Sequence, residues 1–423
     1  MIALEEDLAG AICTDAVKVW RRSTARMRDK LLACMTVNLV EAARSSRDPQ
    51  CLDVARSLVT SGHQASSLRG IRGLTDQVAS ANAYLTHALL RDDAYGTALH
   101  PGQLVIPVAL ALSEEADVAG AITLEAVAIG YEVTCRLADL LLPEVSNRGW
   151  RVTALLSPIG AAATAASILR PGNPATLAAA VRLGATVMGG PLHTVAAGED
   201  WRAQPSLLVS AGMACARMAA SGYRASSGHL EAPYGVLDQF TGSRLAKELN
   251  HGSRLESVTF KSHSGPMFCQ ALLRAIDSIA GTLLSAPCSV TVALSPFAVS
   301  YAGASVDAGS VANIGHIVSD RLSIHASDAE LAGIDITVIA DDSVHDLDAV
   351  VEVSTMARAS TREYYSGDTS TWSFSDVRRE ATSEIPEALD LVDAVSALEG
   401  APNVRSLIDS WQRLAEAETL RPH

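Results

Sequence analysis

Residues 152–169 read VTALLSPIGAAATAASIL, an unbroken run without a charge and built largely of Ala, Ser, Thr and Gly. A segment so poor in polar anchors has no stable place on a water-facing surface. Pro158 and the small side chains also make it a poor bilayer span. What remains is a core helix covered on all sides, with side chains small enough to let neighbouring helices approach closely. The rest of the first half supplies such neighbours. ITLEAVAIGYEVTCRLADLLL (122–142) keeps Leu124, Ala128, Tyr131, Cys135 and Ala138 on one face at helical spacing. NPATLAAAVRLGATVMGG opens on Asn173 as N-cap with Pro174 at the first helical position, and runs out at Gly189 and Gly190. PSLLVSAGMACARMAASG (205–222) repeats the design, proline first and glycine last. No strand alternates with these helices, so residues 1–252 read as an all-helical domain.

The pattern changes near residue 253. SVTVALS (289–295), GIDITVIADD (333–342) and AVVEVSTMA (349–357) alternate, are rich in β-branched residues and are bounded by turn formers. SVANIGHIVSDRLSIHASDAELAG between them reads as helical, and Ser373 with Asp376 forms a capping-box opening for another helix. Residues 253–384 therefore read as a smaller α+β lid. LDLVDAVSALEG and NVRSLIDSWQRLAEAE return to helical periodicity, so 385–423 is expected to pack back on the first domain. The fold class expected is mainly α with an α+β lid.

Hydrophobic residues make up 48% of the 423 positions and charged ones 19%, which is the make-up of a packed globular chain. The formal charge of −14 works against a phosphate backbone, so nucleic acid is not expected as a partner. No basic run follows an apolar segment, which argues against an anionic membrane. The seven cysteines are odd in number, scattered and without a C-x-x-C pair, as in buried free thiols of a reducing compartment. MIALEEDLAGAIC begins with acids rather than a basic signal region. A cytoplasmic location is therefore expected. Neither a phosphate-binding loop, a dinucleotide fingerprint, H-E-x-x-H nor G-x-S-x-G occurs, and the histidines lack ligand spacing. No cofactor and no metal are expected. Chemistry would rest on ordinary side chains, which points to proton transfer: elimination, decarboxylation, isomerisation or epimerisation.

SANAYLTHALLRDDAYGTALHPGQLVIPVALALSEE resembles the signature of the MmgE/PrpD family, which includes 2-methylcitrate dehydratase, cis-aconitate decarboxylase and iminodisuccinate epimerase. Asn82, His87, Asp92, Asp93, His100, Pro101, Gly102, Pro107 and Glu114 fall in register with that pattern. AIGYEVTCRLA, RGWRVTALLSPIGAAATAA, SAGMACARMAASG and TFKSHSGPMFCQALLRAIDS resemble four further family segments. The resemblance is clear over roughly residues 75–280 and holds elsewhere by the order of elements. It implies a large helical domain with a smaller α+β lid, a homodimer, and a lyase step that uses no metal or organic cofactor.

Several positions depart from the family pattern. Its first aspartate aligns with Leu90 and its threonine with Ala94. The histidine of Gly-Phe-His becomes Arg151. Near EDWRAQP, where the family carries a lysine, stand Trp201 and Arg202, and a later histidine aligns with Gln270. Leu90 cannot act as a base, and arginine holds a carboxylate without being deprotonated. The expected catalytic set is His100, Asp93 and His263. Arg151, Arg202, Tyr95, Lys261 and Asp92 are expected to bind substrate. Each has a plainer reading: His100 and one of the aspartates as helix or turn caps, Tyr95 on a loop, and the arginines at the surface. The expected function is a cofactor-free lyase. It would eliminate water, another β-leaving group or CO2 from a small carboxylic acid or a biosynthetic intermediate of specialised metabolism. The alternatives are an isomerase, epimerase or cyclase acting on a less polar intermediate, and a non-catalytic paralogue.

Overall fold

The computed structural model describes residues 7–197, 200–243, 251–283, 288–302, 313–324, 334–355 and 358–417. The helical part opens with α1 (Leu8–Arg21), α2 (Ala25–Ser45) and α3 (Pro49–Ser57). A short antiparallel pair follows, β1 (Ser61–Ser66) with β2 (Arg72–Gly73), which the helical periodicity had not suggested. Then come α4 (Thr75–His87), α5 (Gly102–Ala116), α6 (Gly120–Leu141), α7 (Glu144–Asn147), α8 (Val152–Leu169), α9 (Pro174–Gly184), α10 (His193–Ala197), α11 (Ala203–Ala220) and α12 (Val236–Thr241).

The uncharged run is α8, the central helix of the core. By length and composition it could cross a membrane, but 94% of it is buried inside the protein. Its small residues set the helix spacing. A Cβ on Gly160 of α8 would lie 2.7 Å from Thr134 Oγ1 on α6 and 3.4 Å from Leu104 Cβ on α5. Bulkier residues there would push these helices apart. Asn173 caps α9 by accepting from the Thr176 N–H at 3.0 Å, with Pro174 leading the helix. That helix ends at Gly184, and a 3-10 turn covers Ala185–Val187, so it stops short of Gly189 and Gly190.

The smaller unit holds α13 (Gln270–Leu283), β3 (Cys288–Leu294), α14 (Pro296–Ala302), α15 (Ile314–Ser323), β4 (Ile334–Ala340), β5 (Asp348–Thr355) and β6 (Arg358–Ser366). The sheet order is β4-β3-β5-β6. β3 and β4 run parallel, joined across by helix, and β5 and β6 complete it antiparallel. The helix expected over 310–333 is present as α15. Residues 310–312 and 325–333 of that stretch lie outside the described residues. The strand β6 is an addition to the expected set.

Three helices close the chain: α16 (Phe374–Glu384), α17 (Leu389–Ser396) and α18 (Arg405–Glu416). Ser373 and Asp376 make a full capping box at the start of α16. Trp411 of α18 donates its indole N–H to the Leu39 carbonyl of α2 at 2.7 Å. Two hydrophobic cores result. The larger takes in α1 to α11, then Leu255, Val258 and Phe260, then Val377, Leu391, Leu407 and Trp411. The smaller runs from Phe268 to Val353. Both ends of the 253–384 stretch thus pack with the helices, and the α+β unit proper lies between them. The fold is mainly α with a smaller α+β region.

Candidate active site

The stretch between α4 and α5 builds the site. α4 ends at His87, and Leu90 turns the chain with a left-handed φ of +52°. That conformation costs a leucine about 1–2 kcal/mol, whereas aspartate or asparagine tolerates it better. Three contacts hold the turn. The Leu90 N–H donates to the His87 carbonyl at 2.9 Å, and the Leu90 carbonyl accepts from the Gly265 N–H at 3.1 Å and from Lys261 Nζ at 3.0 Å. The turn puts Asp92 and Asp93 on opposite sides of the backbone.

Asp92 faces the site and is fully buried. Its Oδ2 accepts from His87 Nδ1 at 2.7 Å and its Oδ1 from Lys261 Nζ at 2.8 Å. Burial works to raise Asp92, but His87, Lys261 and His100 together hold it well below the usual carboxylate range. His87 Nε2 lies 2.8 Å from an Arg151 guanidinium nitrogen, which can only donate. His87 is therefore the neutral Nδ1–H tautomer, as assigned from its partners. Burial, opposed by Asp92 and reinforced by Arg151 and Lys261, pushes it down to about 4.

His100 sits 4.6 Å from His87, ring centre to ring centre. Its Nδ1 is 3.0 Å from the Asp93 carbonyl, 3.4 Å from Lys261 Nζ and 3.5 Å from Asp92 Oδ1, so its nearest partner is an acceptor. Nδ1 thus carries the proton and Nε2 keeps the lone pair. Burial and the Lys261 charge hold His100 well below the usual histidine range, so it stays neutral. Burial likewise lowers Lys261, although Asp92 pulls it back up.

Asp93 faces the core. Tyr131 Oη donates to its Oδ2 at 2.5 Å and the Gly102 N–H to its Oδ1 at 3.0 Å. Burial outweighs these bonds and pushes it up to about 7. Asp93 supports His100 through its backbone carbonyl and offers the site no carboxylate.

A chamber of about 30 Å³ lies against His100, Arg151, Thr97, Met267, Phe268 and Tyr301. A cleft of about 840 Å³ opens outside it, between the helical core, the α+β unit and α16. Leu90 and Trp201 line both cavities and form the wall between them. Arg151 donates to the Trp201 carbonyl, and Arg202 donates to the Ala88 carbonyl at 2.9 Å while lying 4.7 Å over the Trp201 ring.

The expected site residues divide accordingly. His100, Asp92, Lys261 and Arg151 converge. His263 and Arg202 line the outer cleft, on the far side of the Leu90–Trp201 wall. His263 Nε2 stands 3.7 Å from Asp277, and its backbone is clamped by Gln270, whose Oε1 accepts from the His263 N–H at 3.1 Å. Tyr95 is elsewhere, donating to Asp139 at 2.8 Å beside Arg254. Sequence reasoning left out His87, Trp201 and Tyr301. His87 carried a signal, five positions before Asp92 in the signature. Trp201 stood where the family pattern carries a lysine, and Tyr301 carried no signal beyond its type.

His87, Asp92 and His100 place candidate metal-ligand atoms within 4.8 Å of one another. Both Asp92 oxygens already accept hydrogen bonds, and a cation would have to displace the Lys261 ammonium beside a second fixed charge on Arg151. The donor set fits internal hydrogen bonding better than a metal.

A helical domain and an α+β unit together enclose a buried His–Asp–Lys–Arg cluster. The chain belongs to the MmgE/PrpD family: the family model for the MmgE/PrpD N-terminal domain matches residues 17–248. Members of this family are generally enzymes, dehydratases and related, and membership points to chemistry of that broad type. No curated protein matches the chain in sequence.

Proposed function

We propose that the chain is a lyase. It takes a proton from the carbon next to a carboxylate or carbonyl and expels a β-leaving group, water in the simplest case. The observation that carries this reading is the meeting of two groups at the inner chamber. His100 offers a neutral imidazole whose free Nε2 faces no protein donor among the described residues, and Arg151 is a buried guanidinium with no carboxylate paired to it among those residues.

His100 Nε2 takes the α-proton, and the electron pair left on carbon is delocalised onto the substrate oxygen. Arg151 stabilises the charge on that oxygen. The electron pair then forms the C=C bond as the β C–O bond breaks. Tyr301 supplies a proton to the leaving oxygen, since burial raises its phenol and keeps it protonated. The imidazolium of His100 returns a proton to the phenolate, and the cycle closes with water released. Asp92, His87 and Lys261 touch no reacting atom. They fix the orientation and charge of their neighbours.

The test is incubation in D2O with 2-methylcitrate, cis-aconitate and 3-hydroxy monocarboxylic acids bearing apolar tails, read by mass spectrometry. Loss of water is expected together with exchange of the α-proton for deuterium in the recovered substrate, and His100→Gln should lower both by about a hundred- to ten-thousand-fold. Undiminished exchange in that variant removes His100 as the base. Label entering product without loss of the leaving group would favour an epimerase or cyclase, which begins with the same abstraction.

A further inference from the structure

The charges on the walls of the two cavities select among carboxylate substrates. Around the outer cleft stand three arginines, Arg91, Arg202 and Arg321, against three carboxylates, Asp320, Glu380 and Glu384. All three arginines are engaged: Arg91 donates to Glu384 at 2.7 Å, Arg321 reaches both oxygens of Asp277 at 2.7 and 2.5 Å, and Arg202 donates to the Ala88 carbonyl at 2.9 Å and lies over the Trp201 ring. Burial and the nearby Arg321 push His263 down to about 4, so it adds no charge near neutral pH. Deeper in, Lys261 is matched by Asp92 at 2.8 Å.

Among the described residues, the wall of the inner chamber carries one cation, Arg151, which is 3% exposed and donates to no carboxylate. It donates to the Trp201 carbonyl and to His87 Nε2, which leaves three of its five N–H groups. A second observation points the same way. The indole N–H of Trp201 is buried without a hydrogen-bond partner, and among the described residues it is the one such side-chain atom on the walls of either cavity. A buried donor left unpaired is destabilising, and a ligand oxygen would relieve it. The outer cleft, at about 840 Å³, is of the size that holds a drug-sized ligand, roughly 300–1,000 Å³. A small tricarboxylate would leave most of it empty and bring three negative charges to a chamber with one cation on its wall and a cleft whose arginines and carboxylates are equal in number among the described residues.

Resting on the site assigned above, we propose that the substrate is a monoanion: a single carboxylate on an extended, otherwise uncharged body. Arg151 and the Trp201 indole N–H receive the carboxylate beside His100, and the body lies in the outer cleft beyond Leu90.

The test is calorimetric binding to the purified full chain of three probes: 4-phenylbutyrate, its methyl ester and citrate. The acid is expected to bind at least about tenfold more tightly than either of the others, as loss of one charged contact implies. Trp201→Phe, which keeps a ring and removes the N–H, should weaken acid binding several-fold. Citrate binding as tightly as the acid, or the ester binding as tightly, overturns the proposal. Because acid and ester are compared on the unaltered protein, the result does not depend on whether an Arg151 variant folds. The two readings also fail separately. The acid preference is expected to persist in His100→Gln, where turnover is lost. Loss of the preference with deuterium exchange intact overturns the substrate class alone.

Discussion

His87 and Asp93 flank one turn and are buried to the same degree, yet the fold shifts their titrations in opposite directions. His87 is held at about 4 against an ordinary 6.5. Between those values the unfolded chain binds a proton that the folded chain refuses, so this group makes stability fall as pH drops from 6.5 toward 4. Asp93 is held at about 7 against an ordinary 3.8. In that window the folded chain keeps a proton that the unfolded chain releases, so this group makes stability fall as pH rises from 3.8 through 7. Over the shared range the two slopes oppose each other. Relative to the parent protein, His87→Asn should lose stability as pH rises from 4.5 to 6.5, and Asp93→Asn should gain it. Melting temperatures of the three proteins at several pH values in that range check this, and difference slopes of the same sign would sink it. The low position of His100 adds an expectation for activity. As a base it works when neutral, so the acid limb of kcat/KM should lie below pH 6.5.

At the scale of the element, close helix packing is the property that the sequence displayed most openly. The uncharged, small-residue run could only be a core helix, and α8 is one, with α5 and α6 tight against Gly160. Gly160→Ala should cost about 1–3 kcal/mol in chemical denaturation, because Thr134 Oγ1 on α6 has to give way. A variant as stable as the parent would mean that α6 shifts freely. The capped helices were legible for the same reason, since Asn173 and Ser373 declare their caps locally. β1, β2 and β6 were not legible. RASTREYYS in β6 is polar in sequence, with Glu363, Tyr364 and Ser366 exposed, and pairing with β5 makes it a strand. The site divides along the same line. Asp92, His100, Arg151 and Lys261, which converge, stand in segments that the motifs single out. Tyr301 reaches the chamber from α14, far along the chain, and no local pattern marks it. Tyr95 was misplaced because a loop tyrosine beside the signature gives no hint of Asp139 as its partner.

Across the whole molecule, the site lies where two cores meet. His100 and Arg151 come from the larger core, while Met267, Phe268 and Tyr301 close the chamber from the side of the smaller. Among the described residues the smaller core contains far fewer buried side chains, and its outer strands have one neighbour each. Hydrogen exchange should therefore find the amides of β3 to β6 opening more readily than those of α5 and α8. Equal protection in both would mean that the two cores unfold as one cooperative unit. The chain returns to the larger core through α16, where Glu384 accepts from Arg91 at 2.7 Å and from Arg44 at 2.9 Å, and this contact also forms one wall of the outer cleft.

The left-handed turn at Leu90 works as a latch. A leucine holds that backbone shape only under strain, and what keeps it is the main chain: Lys261 Nζ and the Gly265 N–H both donate to the Leu90 carbonyl. The side chain takes no part in that grip and forms part of the wall between the chamber and the cleft. Frame and doorway are thus set by different atoms of one residue, so a change of side chain there alters the passage while the latch stays shut.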